Sequence, residues 1–427
     1  MPPKARNAEK EKVQELRKAL YERAKRNPGL RFHSLYDKVY RTDVLAHAYA
    51  LCRANKGAAG PDGVTFEDVE RSGGSGSLLA RLAEELKTKQ YEPGPVRRVY
   101  IPKANGGERP LGIPDIRDRV VAMAVKLVLE PIFEADFDPD SYGFRPWRDA
   151  HQALAAIRAS VADGMAWVVD ADVSKCFDTI PHDRLMKVVA SRVVDGSMLA
   201  LIKKFLVAPV VDEHDGGRRT RPRAGTPQGG PASPLLANIY LHLVDRNFRK
   251  HVEGGELKGR LVRYADDLVI VSPRHPVREL QWLRGLVARL GLTLHPEKTR
   301  VVHAAKEWVN FLGYRFCRRS TGRVAFDVAP MAMTRIRDTL REVTRRTFLS
   351  KEELISELNV YIRGASEYFR LAEPRRLWNL DRFVLARIAR WARHKRVRRL
   401  PEWSLARGTY LYRELGLVTW WRRKQPT

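Results

Sequence analysis

Four aspartates in two short stretches are the residues whose types and spacing could do chemistry. Asp170 and Asp172 lie in one apolar run, and Asp266 and Asp267 stand side by side in another. Two or three carboxylates can supply hard oxygen ligands for two divalent cations roughly 3.5–4 Å apart, which activate an attacking hydroxyl and stabilise a leaving oxygen. This residue set therefore indicates metal-dependent nucleotidyl transfer.

The local structure must bring these side chains to one place. Trp167 to Val173 is predicted to be a strand, on which Asp170 and Asp172 share a face. Leu261 to Val271 is predicted to be a hairpin whose turn lies at the acidic pair, where adjacent aspartates can reach one ion site. A single Asp in such a place is more often a turn or cap residue. The four together favour a cation site, because neighbouring carboxylates repel and are costly to bury alone.

A basic hairpin is predicted near residue 100. Val96 to Pro102 alternates basic and apolar residues, Asn105 to Gly107 supplies a turn, and Arg109 to Ile113 returns. Lys103 and Arg109 flank this turn, either as anion ligands or as ordinary surface cations.

The remaining elements follow from periodicity and from turn-forming residues. Ser72 to Ser77 is predicted to be a flexible connector, and Gly225 to Pro234 a loop. Helices are predicted over 9–26, Tyr40–Ala54, Asp118–Phe133, Ala150–Val161, Leu235–Val244 and 279–290 and from Ala329 onward, with short strands at Leu292–Leu294 and Thr299–His303.

The charge of the chain points to a polyanionic partner. Its 427 residues carry a formal net charge of +28. From Arg318 to the end there are 26 Lys and Arg against 11 Asp and Glu, and tryptophans interleave with the cations. This pattern fits either a nucleic-acid surface or a solvated helical face over a tryptophan-containing core.

Several protein classes are disfavoured. The three cysteines lie far apart without a C-x-x-C pair, which argues against a zinc ribbon or a disulfide scaffold. The N-terminus lacks the apolar stretch of a secretory signal, and the longest apolar run, Val120 to Phe133, is too short and too charged to span a bilayer. We expect a soluble protein of a bacterial cytoplasm or nucleoid, with no membrane partner.

An ordered set of motifs resembles the reverse transcriptases encoded by group II introns. The resemblance spans about residues 40 to 400, and the segment after Gln228 has the intron-type form Gly-Gly-Pro-Ala-Ser-Pro. The motifs are Ser141-Tyr-Gly-Phe-Arg-Pro146, Asp172-Val-Ser-Lys-Cys-Phe-Asp178, Gly225-Thr-Pro-Gln-Gly-Gly-Pro-Ala-Ser-Pro-Leu-Leu-Ala-Asn238, Arg263-Tyr-Ala-Asp-Asp267 and Phe311-Leu-Gly-Tyr314.

The resemblance implies an α+β right-hand polymerase, with fingers, an antiparallel palm sheet and a helical thumb, or maturase, domain. Leu354 to Phe369 is similar to the family's thumb. The implied domains are a basic N-terminal extension at 1–95, fingers and palm at 96–320, the thumb/maturase domain at 321–400 and a basic C-terminal tail at 401–427.

The resemblance also implies roles around the aspartates. Asp172, Asp266 and Asp267 match the metal-binding triad for two Mg²⁺ ions, which Mn²⁺ could replace, with the carbonyl of Val173 as an extra ligand. Asp170 falls two residues before the matching position, so a structural role is expected for it.

Other matching positions concern the substrates. Phe177 would pack under the incoming sugar and exclude a 2′-hydroxyl, and Gln228 would approach the nucleotide. Lys103 and Arg109 would clamp the triphosphate, and Lys298 would protonate the pyrophosphate leaving group. The primer grip would be Phe311, Leu312, Gly313 and Tyr314, and the RNA-binding run Arg393, Lys395, Arg396, Arg398 and Arg399.

The implied partners are group II intron RNA, an RNA template, a DNA primer, deoxynucleoside triphosphates and target DNA. Many family members add a Cys-rich endonuclease; the chain ends at Thr427 without cysteine pairs, so we expect no DNA cleavage of its own. Two alternatives stay open. One is an RNA-binding maturase without polymerase activity, and the other is a domesticated enzyme of DNA repair or phage defence.

Overall fold

The protein is described by a computed structural model that covers residues 3–102, 107–227, 229–395 and 409–420. The chain divides by its internal contacts into two units. The first takes Met1–Ile157 and Val169–Val301, and the second takes Arg158–Val168 and Val302–Thr427. Within the described residues, no helix combines the length and the apolarity that crossing a bilayer requires.

The first unit begins with helices that pack on a central helix, α6. Nearly every residue of α6 is buried, because its apolar residues run all round the helix rather than along one stripe. Arg17 on the first helix pairs with Glu130 of α6 at 2.5 Å. The helices of this part are α1 Pro3–Arg26, α2 Tyr36–Val39, α3 Thr42–Ala54, α4 Phe66–Arg71, α5 Gly74–Lys87, α6 Ile116–Glu134 and α7 Ala150–Ala162.

The predicted connector at Ser72 to Ser77 is wrong, because α5 already begins at Gly74. Gly73, with φ 107, makes the turn that separates α4 from α5. Leu82 and Leu86 of α5 are fully buried, so packing of the apolar face outweighs the low helix propensity of the Gly-Ser stretch.

The basic hairpin forms as predicted and belongs to a four-stranded sheet. Strands β1 Val96–Pro102 and β2 Glu108–Ile113 pair antiparallel, with Arg109 opposite Ile101. β4 Val210–Asp212 pairs parallel to β1, and β5 Arg218–Thr220 completes the order β2-β1-β4-β5.

A second four-stranded sheet carries the aspartates. It has the order β6-β7-β3-β8, and the predicted hairpin is its antiparallel pair β6 and β7. Leu292 to Leu294 is not a strand; Leu294 makes only a single bridge, to Val173. The strands are β3 Trp167–Asp172, β6 Arg260–Tyr264, β7 Asp267–Ser272 and β8 Arg300–His303.

The other elements around this sheet are helical. They are α8 Cys176–Thr179, α9 His182–Ala190, α10 Gly196–Leu206, the 3₁₀ turn Glu213–Asp215, α11 Ser233–Glu253 and α12 Val277–Arg289. The second unit has the antiparallel sheet β9 Val309–Phe311, β10 Tyr314–Arg318 and β11 Val324–Val328, followed by α13 Pro330–Val343, α14 Lys351–Tyr368, α15 Pro374–His394 and α16 Thr409–Arg413.

Candidate active site

The turn between β6 and β7 presents the adjacent aspartates. Tyr264 pairs with Asp267, so the turn consists of Ala265 and Asp266, and Asp267 is the first residue of β7. Ala265 has φ 56, the left-handed conformation that two-residue hairpins favour at their first position but that glycine usually fills. Because of this turn, Asp266 and Asp267 both lie at the same end of the sheet.

Asp172 lies at the end of β3 beside this turn. The backbone N–H of Val173 donates to the carbonyl of Asp266 at 3.4 Å, which fixes the two chain segments against each other. The carboxylate of Asp172 accepts a hydrogen bond from Lys298 Nζ at 2.5 Å. The structure therefore brings together four residues that the sequence predicted as one site: Asp172, Asp266, Asp267 and Lys298.

The carboxylates of this site repel one another. Solvent still reaches Asp267, but the surrounding protein atoms partly desolvate its carboxylate. This desolvation, together with the charges of Asp266 and Asp172, raises the pKa of Asp267 to about 7. Desolvation, followed by the charge of Asp172, also raises the pKa of Asp266. The hydrogen bond with Asp172 raises the pKa of Lys298. A positive charge near the turn would relieve this repulsion.

Asp170 lies on the same strand as Asp172 but has a different partner. Arg300 Nε donates to its carboxylate at 3.3 Å. Burial raises the pKa of Asp170, and Arg300 opposes that rise. The structural role expected for Asp170 from the sequence stays a prediction.

A buried arginine supports the turn between β6 and β7 from behind. The side chain of Arg263 is fully buried; its Nη1 donates to the carbonyl of Ala265 at 2.9 Å and to Asn238 Oδ1 at 2.8 Å. Asp245 accepts from its Nε and Nη2 atoms at 2.6–3.0 Å. Helix α11 thus holds the turn through charge-assisted hydrogen bonds.

The loop Ser141 to Pro146 passes directly behind the same turn. A Cβ atom on Gly143 would collide with the backbone nitrogen of Ala265, so this approach requires glycine. Asn238 Nδ2 donates to the carbonyl of Gly143 at 2.8 Å. The supporting roles of Gly143, Asn238, Asp245 and Arg263 were not predicted from the sequence. The available signal was Arg263 itself, which directly follows the apolar residues Leu261 and Val262.

Phe177 and the loop that starts at Gly225 form one wall beside the aspartates. Phe177 is buried, and its carbonyl accepts the N–H of Thr226 at 2.6 Å. Gly225 has φ 88, and a Cβ there would stand 2.7 Å from the carbonyl oxygen of Phe177. Farther along, a Cβ on Gly229 would meet the carbonyl of Gly112 on β2. Glycines therefore allow this loop to contact both Phe177 and the basic hairpin.

Arg109 on the basic hairpin acts on the aspartates through its charge. Burial raises the pKa of Asp266, and the charge of Arg109 opposes part of that rise. Lys103 and Gln228, the other two nucleotide ligands expected from the sequence, lie outside the described residues.

Two family models match this chain. Residues 101–316 match the family model for Reverse transcriptase (RNA-dependent DNA polymerase), and residues 333–410 match the model for Group II intron, maturase-specific domain. The chain belongs to the group II intron-encoded reverse transcriptases. The α+β polymerase fold expected from the sequence, with its antiparallel hairpin and helical C-terminal region, is confirmed.

Three relatives illustrate the similarity. Protein YkfC of Escherichia coli strain K12 is 34% identical over 346 residues, which cover 72% of this chain and 89% of YkfC. The group II intron-encoded protein LtrA of Lactococcus lactis is 32% identical over 356 residues, covering 69% of this chain and 58% of LtrA. An uncharacterised 91 kDa protein in a Schizosaccharomyces pombe cob intron is 28% identical over 438 residues, covering 83% of this chain and 53% of that protein. The chain thus spans little more than half of the two longer relatives.

The residues of the expected primer grip form a tight hairpin of the second unit. Phe311 pairs with Tyr314, and the turn residues Leu312 and Gly313 have φ 51 and 76. The hydroxyl of Tyr368 donates to the carbonyl of Leu312 at 2.8 Å, so helix α14 fixes the turn.

The expected RNA-binding run begins at the end of α15. Arg393 is exposed, and the ammonium of Lys395 donates to the carbonyl of Leu349 and stands 5.3 Å from the centre of the Trp391 ring. Arg396, Arg398 and Arg399 lie outside the described residues.

The donor set suits a hard divalent cation. Burial and the charges of Asp266 and Asp172 raise the pKa of Asp267 more than the charge of Lys298 lowers it, and these carboxylates supply the oxygen ligands that such a cation prefers. In the part of the chain that the structure describes, no three Asp, Glu, His or Cys side chains already surround a common point that could hold a metal ion. Asp172, Asp266 and Asp267 therefore fit such ions by chemistry and proximity.

Proposed function

We propose that this chain is an RNA-directed DNA polymerase that synthesises cDNA by nucleotidyl transfer. The observation that carries the proposal is the convergence of Asp172, Asp266 and Asp267 from two chain segments, with the charges of Asp172 and Asp266 raising the pKa of Asp267. A protein tolerates such mutual repulsion at a cost, and sites of this kind are functional more often than structural.

Two Mg²⁺ ions, or Mn²⁺ in their place, would be held by these carboxylates together with the carbonyl of Val173. When bound, they would supply Lewis-acid stabilisation of the attacking and leaving oxygens. Lys298 Nζ lies 2.5 Å from the carboxylate of Asp172. Its ammonium would donate its proton to the pyrophosphate leaving group.

The walls of the site would select and hold the deoxynucleoside triphosphate. The ring of Phe177 would lie under the sugar and exclude a 2′-hydroxyl. Arg109 and Lys103 of the basic hairpin would bind the triphosphate, and Gln228 would lie near the base. Arg109 already acts electrostatically on Asp266, which supports its assignment to this task.

The second unit would bind nucleic acid. The turn Phe311 to Tyr314 would grip the primer end, and the region matching the maturase-specific domain would bind group II intron RNA during splicing. The Arg393 to Arg399 run and the net charge of +28 support a phosphate-binding surface. Target DNA would be a further partner in intron mobility, in a bacterial cytoplasm or nucleoid.

Primer extension tests the proposed polymerase. The wild type is given an RNA template, a DNA primer, Mg²⁺ and deoxynucleotides, beside Asp266→Asn and the control Asp163→Asn, which changes an exposed aspartate outside the site. We expect full-length cDNA from the wild type and the control, and none from Asp266→Asn, which should keep its RNA affinity. Product from Asp266→Asn would contradict the site. A folded wild type that binds intron RNA but makes no cDNA would favour a maturase without polymerase activity.

A further inference from the structure

Trp147 combines two properties that rarely occur together. Its side chain is 96% exposed, more than any other large hydrophobic side chain in the described part of the chain. Its backbone has φ 61, a conformation that bulky residues seldom adopt and that glycine would take without strain. A single exposed apolar residue is ordinary, but a strained one that contributes nothing to the core calls for a role outside folding.

The loop around Trp147 is held firmly on both sides. Before it, the buried guanidinium of Arg145 donates to the carbonyls of Asp138 and Ser141 at 2.5 and 2.6 Å. After it, Gln152 Nε2 donates to the carbonyl of Trp147 itself at 3.2 Å. Because its flanks are fixed, the loop presents the indole to solvent in a defined place.

That place borders the candidate active site. Gly143 touches Ala265 of the turn between β6 and β7, and Trp147 follows four residues later, within about 14 Å of extended chain. Phe144, also exposed and with φ 58, has its ring 6.3 Å from that of Phe177. Trp147 therefore lies within a few residues of two contacts with the proposed nucleotide site, one made by Gly143 with Ala265 and one made by Phe144 with Phe177.

The surroundings indicate what the indole would contact. The chain carries +28 charges, and Arg148 follows Trp147 directly, with its guanidinium 5.5 Å from the centre of the Tyr142 ring. An exposed aromatic ring in a strongly basic chain is the combination with which proteins bind single-stranded nucleic acid, because the ring stacks on a base and the cations attract the phosphates. A flat indole reads no sequence, which suits a template that changes at every step.

We propose that Trp147 stacks on an unpaired base of the RNA template strand, next to the nucleotide site. The inference rests on the proposed polymerase function, and it adds a binding site for the single-stranded template to it. Trp147 would position the template and take no part in the chemical step.

The test compares two primer–template duplexes, one blunt and one with a 5′ overhang of unpaired template RNA. Affinities are measured by fluorescence anisotropy, and 2-aminopurine placed at successive overhang positions reports stacking by loss of its fluorescence. We expect Trp147→Ala to lose about tenfold in its preference for the overhang, within the range for stacking of one base on one aromatic side chain. Quenching at one overhang position should disappear with it. Trp147→Phe should restore most of both, because its ring also stacks.

Two controls separate the possible outcomes. Trp378→Ala removes an indole that is 67% exposed in the second unit and should leave the overhang preference unchanged. Thermal unfolding of Trp147→Gly should show no loss of stability, since glycine accepts φ 61 without strain. If Trp147→Ala keeps the wild-type overhang preference and quenching while the wild type extends primers, the stacking inference is overturned and the polymerase proposal stands. A wild type that neither binds nor extends primer–template contradicts the polymerase proposal itself.

Discussion

Arg263 and Asp245 form a fully buried ion pair in which the guanidinium donates to both carboxylate oxygens at 2.6–3.0 Å. The pair joins strand β6 to helix α11 directly behind the turn between β6 and β7. Because Arg263 also donates to the carbonyl of Ala265, the pair fixes the turn that carries Asp266 and leads into Asp267. We propose that Arg263 is a positioning residue for these two aspartates.

Arg263→Met leaves the carboxylate of Asp245 buried without its partner, and we expect the free energy of unfolding to fall by about 3–5 kcal/mol. Chemical denaturation measures this loss. The double variant Arg263→Met/Asp245→Leu removes both charges and should recover much of the stability, but it should not recover primer extension, because the turn keeps no donor to Ala265. Full activity in the stable double variant would rule out the positioning role.

A substitution at Gly225 can test the contact between the Gly225 loop and Phe177. Gly225→Ala introduces a Cβ that would stand 2.7 Å from the carbonyl of Phe177, at a backbone φ of 88. The matched control is Gly216→Ala, which also has a positive φ, 59, but meets no atom within 4 Å. The control should cost roughly 1 kcal/mol for its conformation alone. Gly225→Ala should cost distinctly more and lower primer extension; equal costs for both variants would show that the contact is dispensable.

Phe177 is expected to exclude ribonucleotides through the bulk of its ring. Phe177→Val keeps an apolar side chain but shortens it, so a 2′-hydroxyl should be accommodated. The ratio of kcat/KM for ribonucleotide over deoxynucleotide should rise by about tenfold or more, a change of roughly 1.4 kcal/mol in transition-state free energy. Single-nucleotide addition with each substrate measures the ratio. If both activities fell by the same factor, the substitution would have disturbed the site without changing its sugar selectivity, which would contradict the role expected for Phe177.

Lys298 is expected to act as a proton donor, which differs from a purely electrostatic role. Loss of a general acid typically slows a reaction by about 10²–10⁴-fold. Lys298→Gln should show a loss of this order in single-turnover nucleotide addition. Lys298→Arg keeps the charge beside Asp172 but gives up its proton far less readily, so it should recover binding and little of the rate. Full recovery by arginine would limit Lys298 to charge neutralisation.

The sequence was informative wherever a local pattern decides the structure. The short apolar run Trp167 to Val173 and the two apolar pieces around Asp266 give strands that the pattern predicts directly, and the motif order identified the family. The connector at Ser72 to Ser77 was misjudged because tertiary packing of Leu82 and Leu86 outweighs local Gly and Ser propensity.

The supporting network could not be predicted for a different reason. Arg263 and Asp245 are 18 residues apart, and their pairing depends on where α11 packs against β6. The close approach of Gly143 to Ala265 likewise joins segments more than a hundred residues apart. A one-dimensional pattern holds no information on such contacts, although an arginine that directly follows two apolar residues of a predicted strand, as Arg263 does, indicates that a buried acceptor must exist.

A pH-dependent contribution to stability is expected from Asp381 in the second unit. Asp381 lies on α15 and is 8% exposed, its carboxylate accepts the N–H of Trp420 at 3.0 Å, and burial raises its pKa to about 6. An unfolded aspartate has a pKa of about 3.9. Between these values the folded state retains a proton that the unfolded state has released, so this group's contribution is fully present below about pH 4 and is lost as the pH rises to about 6.

Asp381→Asn removes this titration and keeps an oxygen that can accept from Trp420. The difference in free energy of unfolding between the wild type and Asp381→Asn should therefore decrease from pH 4 to pH 7. A shift of about two pKa units, at about 1.4 kcal/mol per unit, makes this decrease roughly 2–3 kcal/mol. Denaturant titrations of both proteins at the two pH values give the difference directly, and subtraction cancels the other titrating groups. A difference that is constant with pH would show that the Asp381 carboxyl is not desolvated in the folded protein.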